Sequence, residues 1–306
     1  MLSIIIPIYN ESENIPILID RINNLISCIN RETEVLLIDD HSFDQTPVLL
    51  KEYCKKNQNF KYIRLSKNSG SHIAIIAGLQ HCKGDIAVFL AADLQDPPEL
   101  ITEMLVKWQD NNDVVWAVRE TRHGVSFVEK CFSRLFYMLF NISSDISLPP
   151  KGADFALLDR KVIDALLRSI GSKPSLGALI AWLGFKQTEI LYTKELRKFG
   201  KSKWTLSKKI NAFTDAFVGF SVLPLRAMSY IGFSIAFLGL LYSLFIVSLR
   251  FVSGQPIIGW TSIMVAVTIL GGLQMLMLGV IGEYLWRNLE EARKRPLFLI
   301  EDHLGI

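Results

Sequence analysis

The chain has no C-x-x-C pair and only five histidines, so no zinc-binding framework can be drawn from it. Its four cysteines, Cys28, Cys54, Cys82 and Cys131, stand far apart. They read as reduced, mostly buried thiols of a cytosolic domain rather than a disulfide scaffold. No G-x-G-x-x-G follows the first apolar run, which argues against a dinucleotide-binding unit, and the absence of a Walker A sequence argues against a P-loop kinase. A net charge of +3, dispersed over 306 residues, is too small to point to nucleic acid. The start, Met1-Leu2-Ser3-Ile4-Ile5-Ile6-Pro7, lacks the basic segment and cleavage site of a signal peptide and reads as a first β-strand.

Toward the C-terminal end, charge itself is missing. No charged residue lies between Arg226 and Arg250, about 23 positions, which is enough to cross a bilayer core. A second uncharged run extends from Phe251 to Gly282, broken at Ser253-Gly254-Gln255-Pro256. Two membrane helices, about 227–249 and 257–281, are therefore expected as a hairpin within 225–286. A hydrophobic fraction of 50% agrees with a membrane portion. Basic residues flank both ends (Lys208, Lys209 and Arg226 before, Arg287, Arg293, Lys294 and Arg295 after), while the connecting loop has none except Arg250 at its edge. The positive-inside rule then places both ends in the cytoplasm, the last as a basic cytosolic tail over 287–306.

What the first half does contain is alternation. Short β-rich runs recur at Ser3–Ile8, Glu34–Ile38, Tyr62–Leu65, Ile86–Leu90 and Val114–Val118, with helical stretches near Ile15–Ile29, Thr46–Lys55, Ser71–His81 and Glu99–Gln109. Continuous apolar runs indicate strands buried on both faces, hence an α/β domain with a mostly parallel sheet and helices on both sides. After it, Ser126–Phe140 and Trp204–Phe220 interleave aromatic and basic residues at helical spacing. They are expected as interfacial amphipathic helices near 126–140 and within 201–224, with packing onto the domain the other reading of the first.

Ligands of a parallel α/β sheet bind outside the carboxyl ends of its strands. Three such ends carry polar groups: Pro7, Tyr9, Asn10 and Glu11 after the first strand, Asp39 and Asp40 after the second, Asp93, Gln95 and Asp96 after the fourth. The oxygen donors before Pro97-Pro98 suit a hard cation, Mg²⁺ or Mn²⁺, shared with substrate phosphates. Asp39 could accept from a base N–H or ribose hydroxyls, and Tyr9 could stack on a nucleobase.

The runs Ser-Ile-Ile-Ile-Pro-Ile-Tyr-Asn-Glu (3–11), Leu-Leu-Ile-Asp-Asp-His-Ser (36–42), Asn68-Ser69-Gly70, Ala92-Asp93-Leu94-Gln95-Asp96-Pro97-Pro98 and Gly200-Lys201-Ser202-Lys203-Trp204 resemble the family 2 glycosyltransferases with a GT-A fold. More narrowly, the chain resembles polyisoprenyl-phosphate glycosyltransferases over essentially its whole length. The motifs are specific for the family and poorly specific for the sugar. The resemblance implies a cytosolic catalytic domain over 1–200, with Pro7, Tyr9, Glu11, Asp39, Asp40 and Asp93 on the nucleotide-sugar and Asp93 and Gln95 on the metal. It implies catalytic roles for Arg119, which faces phosphates, and for Arg197 and Lys203, in a mobile segment closing over them. Asp154 stands where relatives place a polar residue between sugar and acceptor, as a base or a hydroxyl ligand; a structural turn Asp is the other reading.

The expected reaction is inverting transfer of glucose from UDP-glucose to undecaprenyl phosphate, by an integral protein of a bacterial inner or plasma membrane. It is expected to work as a homo-oligomer such as a tetramer. GDP-mannose and a UDP-aminoarabinose-type donor are the alternatives. One departure stands out: the family pattern at the metal is Asp-x-Asp, and Ala91 replaces its first carboxylate. That leaves room for a different class of protein, an inactive membrane scaffold.

Overall fold

A computed structural model describes residues 1–120, 155–171, 175–195, 223–253 and 259–306. They divide into two compact units, one made of the N-terminal part with Arg295–Ile306, the other ending at Lys294. The expected interfacial helix near 126–140 and nearly all of that in 201–224 lie outside the described residues.

The first unit is built on one sheet of eight strands: β1 (Leu2–Ile8), β2 (Thr33–Asp39), β3 (Phe60–Leu65), β4 (Ile86–Phe89), β5 (Val114–Arg119), β6 (Phe155–Asp159), β7 (Gln187–Tyr192) and β8 (Ile300–Leu304), in the order β7-β5-β6-β4-β1-β2-β3-β8. The strands β3, β2, β1 and β4 run parallel. Strand β6 runs antiparallel between β4 and β5, β7 pairs with β5 in parallel, and β8 lies antiparallel along β3. The carboxyl ends of six strands therefore share an edge with the amino ends of β6 and β8. Strand order reverses at β1, with β2 and β3 on one side and β4 on the other, and a crevice at such a switch point is where open α/β sheets bind ligands.

The β1 sequence Leu-Ser-Ile-Ile-Ile-Pro-Ile is buried on both faces, which explains its continuous apolar run. Leu2, Ile4, Ile6 and Ile8 join one core cluster with Ile15, Leu18 and Ile22 of α1 (Ile15–Cys28), Leu50 of α2 (Thr46–Lys56) and Met104 of α4 (Leu100–Gln109). The α1 positions recur at three- and four-residue spacing, the stripe a helix needs to face a core. Ile5, on the opposite face, meets α3 (Ser71–His81) so closely that a Cβ at Gly78 would lie 2.3 Å from its Cγ2, so only glycine fits there. After β6 the chain forms α5 (Arg160–Arg168), capped by Asp159 accepting from the Lys161 amide at 3.1 Å, and α6 (Leu176–Trp182).

Five strands were expected and the first five are found, but β6, β7 and β8 were not foreseen. The tail also differs from its sequence reading. The second unit contains α7 (Leu223–Ser253) and α8 (Trp260–Ala292), and α8 runs well past the expected end of the second span. Residues 287–306 are accordingly not a free basic tail: they finish α8 and then form β8, whose Glu301 and Asp302 are acidic. The physical reason is that β3 would otherwise expose a row of unpaired backbone groups, which β8 covers. Among the described residues one stretch, Ile269–Ala292 within α8, is long and apolar enough to cross a membrane, with mean hydropathy 1.4. A shorter apolar stretch, Ala227–Gly239, lies in α7. Both helices leave large apolar side chains exposed, among them Phe233 and Leu238 on α7 and Met275 and Leu285 on α8.

At the sheet edge away from the crevice, Glu34 is buried and accepts from Ser3 Oγ at 2.5 Å, the Lys83 amide at 2.6 Å and Lys61 Nζ. Burial opposes its charge, yet Lys61, Ser3 and the Lys83 amide together hold its carboxyl below the ordinary glutamate range. Its contribution to stability is therefore present above the unfolded pKa and lost as pH falls through the lower folded value. Glu34→Gln is expected to destabilise the full-length protein by about 2 kcal/mol at pH 7, because the partly buried Lys61 loses its counter-charge and the Ser3 and Lys83 donors lose a charged acceptor. The deficit should shrink on acidification below the glutamate range, which thermal unfolding across a pH series checks.

Candidate active site

Three loops meet at the carboxyl edge, and hydrogen bonds lace the first two together. The Asn10 amide donates to Ser42 Oγ at 2.9 Å, and the Phe43 amide returns a bond to Asn10 Oδ1 at 2.8 Å. The Glu11 amide donates to Thr46 Oγ1 at 3.1 Å, and the Ser12 amide to Asp44 Oδ2 at 3.2 Å. Asn10 (φ 50°) and His41 (φ 61°) take left-handed backbone to make these turns, a conformation Asn tolerates well. Pro7, Tyr9 and Glu11 stay partly exposed along this wall.

Asp39 and Asp40 behave differently. Asp39 is fully buried: Oδ1 accepts from the Ser42 amide at 2.8 Å, and Oδ2 from Arg64 Nη1 at 2.7 Å and Tyr62 Oη at 3.3 Å. Asp40, 3% exposed, accepts from the Ser69 and Gly70 amides at 2.7 and 2.8 Å. Gly70 there has φ 93°, backbone that glycine supplies without strain. Both carboxylates hold loops in shape, and Asp39, expected to accept from a base N–H or ribose hydroxyls, already has both oxygens bonded within the protein.

The third loop alternates. Ala91, Asp93 and Gln95 are partly exposed, whereas Ala92, Leu94 and Asp96 are buried, and Leu94 (φ 59°) bends the turn. The Gln95 amide donates to Asp93 Oδ1 at 3.2 Å. Gln95 Nε2 donates to the Glu195 carbonyl at 3.3 Å, and the Glu195 amide donates back to the Gln95 carbonyl at 2.9 Å. With Nε2 donating to the Glu195 carbonyl, Gln95 Oε1 is the acceptor atom of this side chain. Arg21 of α1 completes a clamp, bonding Glu99 at 2.6 Å and Glu195 at 3.0 Å, so the turn is gripped from both flanks.

Beneath it, Asp96 accepts from Tyr192 Oη at 2.6 Å and lies 3.7 Å from Lys194 Nζ. Burial raises its carboxyl above the ordinary range, against the pull of Lys194 and Tyr192. Arg119, the last residue of β5, lies beside both Asp96 and Tyr192. Thus Pro7, Tyr9, Glu11, Asp39, Asp40, Asp93, Gln95 and Arg119 all come to one sheet edge. Asp154, Arg197 and Lys203 lie outside the described residues. Arg21, Arg64, Tyr192 and Glu195 were missed. Arg64 had a signal, since it is the next-to-last residue of β3 and pairs with Asp39 at the end of β2; Tyr192 and Glu195 depend on β7, an unforeseen strand.

Residues 3–167 match the Glycosyl transferase family 2. The chain belongs to this family, and it is a glycosyltransferase. The undecaprenyl-phosphate 4-deoxy-4-formamido-L-arabinose transferase of Pseudomonas savastanoi pv. phaseolicola is 32% identical over 302 residues, covering 98% of this chain and 89% of that protein. The bactoprenol glucosyl transferase of Shigella phage SfII is 30% identical over 305 residues, 99% of each chain. Among solved structures, mannosyl-3-phosphoglycerate synthase from Rubrobacter xylanophilus has a TM-score of 0.55 at 19% identity, covering 74% of this chain and 75% of that one, a likeness in fold.

Among the described residues, a divalent cation at this turn would have few side-chain ligands. No group of three or more His, Cys, Asp or Glu among the described residues could cage a metal. Two oxygen donors, Asp93 and Gln95, suit a cation whose remaining ligands are phosphate and water. Because position 91 shares the accessible side of the turn with them, Ala91→Asp is expected to tighten Mn²⁺ binding about tenfold by adding a charged ligand. Mn²⁺ titration of the full-length protein followed by electron paramagnetic resonance checks this; unchanged affinity would show that position 91 does not reach the cation.

Proposed function

We propose that this glycosyltransferase transfers a sugar from a nucleotide-sugar to the phosphate of a polyisoprenyl phosphate, with UDP-glucose as donor and undecaprenyl phosphate as acceptor. The observation that carries the reading is the Asp93–Gln95 pair on the open side of a turn at the sheet's switch point. The relatives named above support the acceptor, since they match along nearly the whole chain and their names specify sugar transfer to bactoprenol or undecaprenyl phosphate. Those names differ in the sugar, so the donor rests on the glucosyl relative.

Tyr9 and the wall held by Asp39 and Asp40 would receive the nucleoside. Asp93 and Gln95 would hold Mg²⁺ or Mn²⁺, which when bound neutralises charge on a diphosphate. Arg119, at the same edge, would add a positive charge that stabilises the leaving group as it gains negative charge. An acceptor phosphate oxygen forms the new bond to the anomeric carbon while the bond to the diphosphate breaks, the electron pair leaving with the nucleoside diphosphate. Attack from the opposite face inverts the anomeric centre. The attacking oxygen is already anionic near pH 7, so no strong base is required.

Asp154, Arg197 and Lys203 are proposed to meet sugar and acceptor phosphate. The exposed apolar faces of α7 and α8 suit a two-helix membrane anchor with the catalytic unit and C terminus cytoplasmic. Positions Gly271, Gly272 and Gly279 have open space where a Cβ would sit, which suits helix association in a homo-oligomer.

Purified full-length protein with labelled UDP-glucose, Mg²⁺ and undecaprenyl phosphate should yield chloroform-extractable label. Asp93→Ala should lower the rate at least about 100-fold by removing the carboxylate from the metal. A panel with GDP-mannose and a UDP-aminoarabinose sugar identifies the donor. No turnover with any donor, even after Ala91→Asp, would contradict the enzyme reading and leave a membrane scaffold.

A further inference from the structure

The C-terminal strand does more than cover a sheet edge. Strand β8 begins seven residues (293–299) after α8 and pairs with β3, and the Ser66 amide donates to the Leu299 carbonyl at 2.9 Å as it enters. The register shifts between Arg64 and Leu65, so the pairing bulges beside Asp39. There one guanidinium serves three acceptors. Arg64 Nη1 bonds Asp39 Oδ2 at 2.7 Å, Nη2 bonds the Ser42 carbonyl at 3.2 Å, and Nε bonds Glu301 Oε2 at 2.8 Å. His41 Nδ1 lies 3.2 Å from the same Glu301 oxygen.

A guanidinium is a rigid plane, so fixing one edge fixes the directions of all its donors. Glu301 holds the Nε edge, and this aims the other two donors at Asp39 and Ser42. Ser42 in turn donates its amide to Asp39 and accepts the Asn10 amide on its hydroxyl. A continuous chain of bonds thus runs from the C-terminal strand to the Tyr9–Glu11 wall. Glu301 is half exposed, and an exposed ion pair contributes little to stability. Its influence lies in geometry.

We propose that Glu301 is a positioning residue for the donor nucleotide, acting through Arg64 on the Asp39–Ser42–Asn10 wall. This rests on the reading that the ends of β1 and β2 take the nucleoside. Asp302, its neighbour and the residue that faces Arg64 in the β3–β8 pairing, directs its side chain to Lys51 of α2 instead, so it reports on strand docking with no side-chain bond to the Arg64 guanidinium.

Calorimetric titration of UDP, and separately GDP, into the full-length protein with Mn²⁺ tests the proposal, alongside donor KM and kcat. Glu301→Ala should weaken nucleotide binding and raise donor KM about tenfold, with kcat changed less than about twofold. Glu301→Gln keeps an oxygen for Arg64 Nε and should recover most of the affinity. Asp302→Ala should stay within about twofold of wild type, having lost only an exposed pair. Unchanged affinity in Glu301→Ala overturns the inference, as does an equal loss in Asp302→Ala, which would make strand docking the cause. Wild-type protein that binds neither nucleotide overturns the functional reading itself.

Discussion

A carboxylate withdrawn from water must be met by donors, and the crevice edge is organised around three buried acids. Two are met on both oxygens, and one, Asp96, is met on Oδ1 while its buried Oδ2 has no hydrogen-bond partner among the described residues. Asp39, Asp40 and Asp96 are each no more than 3% exposed. An unpaired charge at such sites would cost several kcal/mol. Asp39 is met by a backbone amide, a phenol and a guanidinium, Asp40 by two amides of the Asn68–Gly70 turn, and Asp96 by Tyr192 and Lys194. Each solution ties one loop to another element, so the loops have little freedom left. The side chains left facing outward, Tyr9, Glu11, Asp93 and Gln95, are thereby presented on fixed backbone.

This division gives the site two layers with different chemistry. The buried acids set shape, and the partly exposed side chains are the ones a bound molecule can reach. Alternation along 91–96 places Ala91 in the accessible set, beside the proposed metal donors Asp93 and Gln95, and leaves the buried set of the turn intact. A cation held by the proposed pair Asp93 and Gln95 would lean on substrate phosphate and water, which would make donor and metal binding mutually dependent. The Arg21 clamp on Glu99 and Glu195 keeps the turn from spreading despite the thin ligand set.

The central sheet and the membership of this edge were legible because strands buried on both faces leave unbroken apolar runs, as Ile4–Ile6 and Val35–Ile38 do. The later strands leave no such mark. Strand β7, Gln-Thr-Glu-Ile-Leu-Tyr, is half exposed, and β8, Ile-Glu-Asp-His-Leu, is a polar edge strand whose partner lies over 230 residues earlier. With them went Tyr192, Glu195 and Glu301. Spacing showed that Asp39 and Asp40 stand at a strand end, but it could not show that both carboxylates are enclosed. That depends on Arg64, Tyr62 and Gly70, which long-range packing delivers.

The most direct test of the account is a structure of the full-length protein with UDP and Mn²⁺. The account predicts the cation against Asp93 and Gln95, bridging to the diphosphate, the nucleoside along the Tyr9–Glu11 wall, and Asp39 still bonded to Arg64. A nucleotide bound away from the β1–β4 switch point, or a cation that touches neither Asp93 nor Gln95, would contradict it.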